Sequence, residues 1–141
     1  MRSHFPILIL MSSVVALGGC DVFSPDTYWR SDDYKLTAID IKGQMMLAVD
    51  LHNGGSIGIV GPTVFSLGAD GRYIVVKQHP TKGEFGKFDR GITNYFVVTR
   101  LPGSDEDKEK GVRGPMSKDE FDHLSASMHL PQFTKTFADL E

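Results

Sequence analysis

Apolar and polar residues alternate from Tyr34 to Ala38: Tyr34, Leu36 and Ala38 share one parity, Lys35 and Thr37 the other, and Ile39 and Ile41 continue apolar on that other parity. A period of two is the signature of a strand with one buried face. Met45 to Leu51 repeats the pattern with Leu47, Val49 and Leu51 on one side. His52-Asn53-Gly54-Gly55-Ser56 follows, and Asn-Gly predicts a tight hairpin turn leading into Ile57 to Val60. Thr63 to Leu67 and Arg72 to His79 predict a second hairpin around Asp70-Gly71. Tyr73-Ile74-Val75-Val76 and Tyr95-Phe96-Val97-Val98 are apolar on both parities, as expected of central strands covered on both faces. Residues 80–93 between them are rich in Gly, Lys and Phe and predict a loop.

The period changes near the C-terminus. Ser117 and Glu120 stand in the S-x-x-E spacing of a capping box, with Met116 and Phe121 placed to form a hydrophobic staple. Phe121, Leu124 and Met128 then fall on one helical stripe, and Pro131 marks the stop. A tail with Phe133, Phe137 and Leu140 is expected to pack back on the sheet. Residues 103–111 carry charges and no large apolar side chain, which predicts a solvated loop. The sum is an α+β domain over 34–141, an antiparallel sheet of about six strands with one C-terminal helix packed on a face.

The first 33 residues read differently. Met1 to His4 form a weakly basic lead, Phe5 to Leu17 are mostly apolar, and two glycines precede Cys20. This is the plan of a secretory signal over 1–19, and its apolar run is shorter than the roughly 20 residues a membrane span needs. Residues 20–33 contain Pro25 and no sustained period, which predicts a tether. Tyr28 and Trp29 within it are expected to dock on the domain, the alternative being the membrane interface.

Leu17-Gly18-Gly19-Cys20 resembles the lipobox of bacterial lipoproteins. That resemblance implies diacylglycerol transfer to the Cys20 thiol, cleavage before it, and acylation of the new amino group. Asp21 resembles the signal that retains a lipoprotein at the inner membrane, so the chain is expected to face the periplasm with that membrane favoured over the outer one. Residues Tyr73–Pro80, Asn94–Val98 and Gly114–Phe121 are similar to a family of short bacterial lipoproteins to which no mechanism is attached.

Composition narrows the function. Cys20 is the one cysteine, which excludes an internal disulfide and a thiolate metal site. Removing residues 1–19 takes away Arg2 and no acid, so the net charge moves from −3 to −4; nucleic-acid binders carry the opposite sign. His123 and His129 lie about 240° apart on a helix and share no metal. His52 falls in a turn, and His79, before Pro80 at a strand end, is the histidine to watch. No P-loop, HExxH or G-x-S-x-G motif is present. No catalytic residue, metal or cofactor is implied.

One segment stands apart. Between Arg72 and Arg100 there are six basic residues against Glu84 and Asp89. Within it, Lys82, Phe85, Lys87, Phe88 and Arg90 place two aromatic rings among cations on a Gly-rich loop, a composition typical of interface anchors; the alternative has both rings folded inward. The expectation is a non-enzymatic binding module, held to the membrane through Cys20, with a protein partner. An immunity protein that neutralises a periplasm-acting toxin is its sharpest form. The alternative is a structural or assembly lipoprotein of an envelope or secretion machine.

Overall fold

The structure, a computed structural model, describes residues 26–103 and 105–141. The signal, the lipobox with Cys20, and Asp21 lie outside the described residues. Among the described residues, nine strands form two antiparallel sheets. The first holds β1 (Asp26–Ser31), β2 (Tyr34–Ala38), β3 (Met46–Asp50) and β4 (Ser56–Val60) in that order. The second contains β5 (Val64–Ala69), β6 (Tyr73–Gln78), β7 (Asn94–Thr99), β8 (Val112–Met116) and β9 (Lys135–Thr136), ordered β8-β7-β6-β5-β9. Among the described residues there are also two α-helices, α1 (Asp105–Lys110) and α2 (Lys118–Met128), and a short 3-10 turn at Lys42–Gln44.

The double-sided strands explain the layering. Ile74, Val76 and Val98 face the first sheet and share a core with Leu36, Leu47, Val49 and Leu67. Tyr73, Val75, Tyr95 and Val97 face the other way, against Phe121, Leu130 and the half-buried Leu124, Met128 and Phe133. Alternate residues of one strand thus feed two cores, because side chains a period of two apart share a face. The five-stranded sheet is the middle layer, with the four-stranded sheet on one side and α2 with the C-terminal tail on the other.

Four expectations are corrected. The six strands become nine in two sheets, since the edge strands β1 and β8 carry no apolar alternation and β9 is only two residues long. The tether ends earlier than residue 33: Asp26–Ser31 is a strand paired with β2, with Asp26 opposite Ala38 and Ser31 opposite Tyr34, and Tyr28 and Trp29 pack on the core. Residues 103–111 are not all loop, because α1 sits there. Its charges are used rather than merely solvated: Lys108 Nζ reaches Asp33 at 2.5 Å and His52 Nδ1 lies 2.7 Å from Asp105. Finally, His129 is not in the helix; it is the left-handed cap with φ 54°.

Several local predictions hold in detail. Glu120 N–H donates to Ser117 Oγ at 3.3 Å and Ser117 N–H to Glu120 Oε2 at 2.6 Å, closing the capping box. At the β5–β6 turn, Asp70 Oδ1 accepts from the N–H groups of Arg72 and Tyr73, both at 2.7 Å. The β3–β4 connection is a looser variant of the predicted turn: Leu51 N–H donates to Gly55 O at 2.8 Å, only Gly54 has positive φ, and Asn53 Oδ1 caps Gly55 N–H at 2.9 Å. The outer edge of β4 has no strand beside it among the described residues, and Ser56–Val60 contains no charged side chain.

Candidate functional site

The 80–93 loop leaves β6 and returns to β7, so both its ends are fixed to the central strands. Just before it, His79 and Thr63 exchange both backbone hydrogen bonds, at 2.8 and 2.9 Å. The loop itself is a small hairpin: Thr81 bridges to Phe88, Lys82 N–H donates to Lys87 O at 3.0 Å, and Asp89 N–H to Pro80 O at 2.9 Å. Its tip turns at Gly83 and Gly86, with φ of +65° and +77°, values that suit glycine. A Cβ at Gly86 would fall 2.2 Å from Ile41 Cδ1, so the exposed Ile41 side chain would have to swing aside. The loop therefore lies flat against the β2–β3 connection.

Phe88 turns inward. It is half-buried and forms the outer layer of a stack in which Phe65, His79 and Phe88 lie nearly parallel, with centroids 4.1 and 5.9 Å apart. The buried His79 ring donates from Nδ1 to Ile92 O at 2.7 Å, because a carbonyl only accepts. Arg90 lies over the outer side of Phe88, 4.8 Å from its centroid, and donates to the carbonyls of Asp139 (3.0 Å) and Glu141. Lys42 holds Asp139 at 2.6 Å and keeps that carboxyl below the ordinary carboxylate range. The C-terminus is thus part of the loop's support.

Phe85 turns outward, 67% exposed at the tip. Lys82 and Lys87 flank it in solvent; Lys87 pairs with Glu84 at 2.5 Å and Lys82 with Asp89 at 3.6 Å. A shallow hollow of about 570 Å³ lies beside them, lined by Lys82, Gly83, Glu84, Gly86, Lys87, Phe88 and Arg90. The structure thus gathers Lys82, Lys87, Phe88 and Arg90 around one depression, with Phe85 at the loop tip. It divides their roles: Phe88 and Arg90 brace the loop, while Phe85 and the lysines are presented.

Sequence reasoning missed what surrounds this loop. Ile39 (59% exposed), Ile41 (45%) and Ile92 (49%) are also outward. The switch of parity at Ile39 and Ile41 was the available signal, because a strand that changes its apolar face in mid-run has left the sheet. A second concavity of about 550 Å³ lies between β8 and α2, lined in part by Arg113, Met116, His123 and Leu124. Among the described residues, no group of three or more His, Cys, Asp or Glu side chains is placed to hold a metal ion, and no helix is long and apolar enough to cross a membrane. Comparison with protein-family models, with curated proteins and with solved structures gives no match for this chain.

Proposed function

We propose that the protein is a non-enzymatic binding module, anchored through lipid on Cys20, facing the periplasm, and making contact through the loop end of the domain. The observation that carries the reading is the division of the two phenylalanines. A large ring in water is costly by about 1.5–3 kcal/mol relative to full burial. Phe88 avoids that cost, whereas Phe85, three residues away, is held in it by a braced hairpin. An exposed aromatic on a loop fixed by a rigid sheet is pre-organised for contact. Neutralisation of a toxin acting in the periplasm is the sharpest form of this function, since a tether holds the binder at high local concentration where the toxin arrives.

The test is a photoreactive benzophenone side chain at position 85 in the producing cell, with position 71 in the β5–β6 turn as control. A covalent adduct, to protein or to lipid, is expected from position 85 and not from position 71. Equal labelling from both positions, or none from either, retires the loop end as the contact surface.

A further inference from the structure

Five large apolar side chains are exposed among the described residues, and four of them, Ile39, Ile41, Phe85 and Ile92, belong to segments at one end of the molecule. Shared contacts make this a single end. Thr63 Oγ1 donates to Gly43 O at 2.5 Å, Thr63 pairs with His79, a Cβ on Gly43 would fall 2.9 Å from Gly86 O, and Ile41 abuts Gly86. The chain comes into the domain at this same end, because Asp26 is the β1 residue opposite Ala38, next to Ile39.

We infer that this end of the domain rests on the lipid surface, with Phe85 and the isoleucines entering the interface; the inference rests on the anchoring of Cys20 proposed above. Asp26 is six positions after Cys20, and six residues of chain reach at most about 20 Å whatever their path. The four apolar side chains belong to the end of the domain that this short tether enters, the end it keeps nearest the bilayer. A folded partner of about 100 residues is roughly 30 Å across, more than the roughly 20 Å that the tether allows between Asp26 and the membrane. The lipid itself fits. Clustered apolar side chains mark interaction surfaces, and aromatic rings favour the headgroup boundary, where an interfacial element sinks about 5–10 Å.

The charges at this end decide which lipid property is read. Lys42, Lys82 and Lys87 are paired with Asp139, Asp89 and Glu84, and Arg90 is spent on carbonyls of the C-terminal tail. Little positive charge is left for anionic headgroups, so the contact is apolar and indifferent to lipid charge. Any protein partner of the anchored domain then meets its other faces, the β8–α2 groove among them.

The experiment uses the full lipidated chain reconstituted in phosphatidylcholine vesicles that contain nitroxide-bearing lipids. With Cys20 acylated, a cysteine introduced elsewhere is the only free thiol. Phe85→Cys, Ile39→Cys and Gly71→Cys variants each receive an environment-sensitive NBD label; a side chain at Gly71 meets nothing within 4 Å. Labels at 85 and 39 are expected to emit to the blue and to lose most of their emission to the nitroxide, while the label at 71 keeps its own. Replacing part of the phosphatidylcholine with phosphatidylglycerol should change none of this. Emission at 85 as unquenched as at 71, with wild-type melting, overturns the inference and leaves the anchor intact. A protein adduct as the sole product from position 85 in cells also overturns it, while keeping the loop end as a contact surface. A mass spectrum without acyl chains on Cys20 overturns the anchor, and the inference with it.

Discussion

The His79 imidazole lies on the Phe65 ring with centroids 4.1 Å apart and planes 11° from parallel. That contact joins the core between the sheets to the base of the loop, and Phe88 covers its outer side. His79→Ala removes the middle of a three-ring stack and leaves Ile92 O without its donor. A loss of about 2–4 kcal/mol is expected from the cavity and the broken hydrogen bond, read as a lowered urea midpoint. A midpoint equal to wild type would show that the stack holds nothing together.

The two phenylalanines of the loop should separate cleanly. Phe88→Ala is expected to cost about 2 kcal/mol, less than a fully buried ring because Phe88 is only half-buried. Phe85→Ala should change stability by no more than about 0.5 kcal/mol, as at other exposed sites. Equilibrium denaturation of the two single variants gives both numbers. Equal losses would mean that Phe85 is a core residue.

Gly86→Ala tests whether the loop is held against the β2–β3 connection. The substitution strains a backbone at φ +77° and drives a methyl group into Ile41. A cost of about 1–3 kcal/mol is expected, together with faster protease cleavage confined to residues 80–93. Uniform cleavage across the chain would instead report global unfolding.

Acid should weaken the fold through identifiable carboxyls. Lys35 and Arg30 hold Asp50 below its usual range, the N–H groups of Arg72 and Tyr73 do so for Asp70, and the Ser117 N–H for Glu120. Their folded pKa values lie under the unfolded ones. The stability they contribute is complete above the unfolded values, near 4, and is lost as pH falls through the folded ones. Denaturant midpoints should stay flat down to about pH 5 and drop below about pH 4. Asp70→Asn, which keeps the acceptor oxygen, should make that drop shallower; an unchanged drop would remove Asp70 from the account.

Cys20→Ser is expected to abolish palmitate incorporation, since the thiol is the sole acceptor in the lipobox reading. Labelling of the variant as strong as wild type would end that reading.

The parts of the fold legible in the sequence were those where several local signals agree. Ser117, Glu120, Met116 and Phe121 specify the start of α2 by hydrogen bonding and packing at once, and the double-sided apolar runs at Tyr73 and Tyr95 announce the middle layer. What escaped was held by partners distant in sequence. β1 has no period of its own and exists because β2 offers it an edge. Helix α1 is short and charged, and it is fixed by Asp33 and His52, each more than fifty residues away. At the loop, composition picked out the right segment but could not say which phenylalanine turns in, because His79 and Arg90 settle that through contacts no spacing encodes.

The open margin of β4 has a bearing on handling. Among the described residues nothing pairs with the outer edge of Ser56–Val60, which has no lysine, proline or acid to repel a newcomer, and only an extra residue at Ile59 disturbs its register with β3. Unguarded strands of this kind recruit other chains and seed fibrils. Concentrated stocks should therefore age by end-to-end growth before they unfold, and a single lysine in place of Ile57 should lengthen their shelf life.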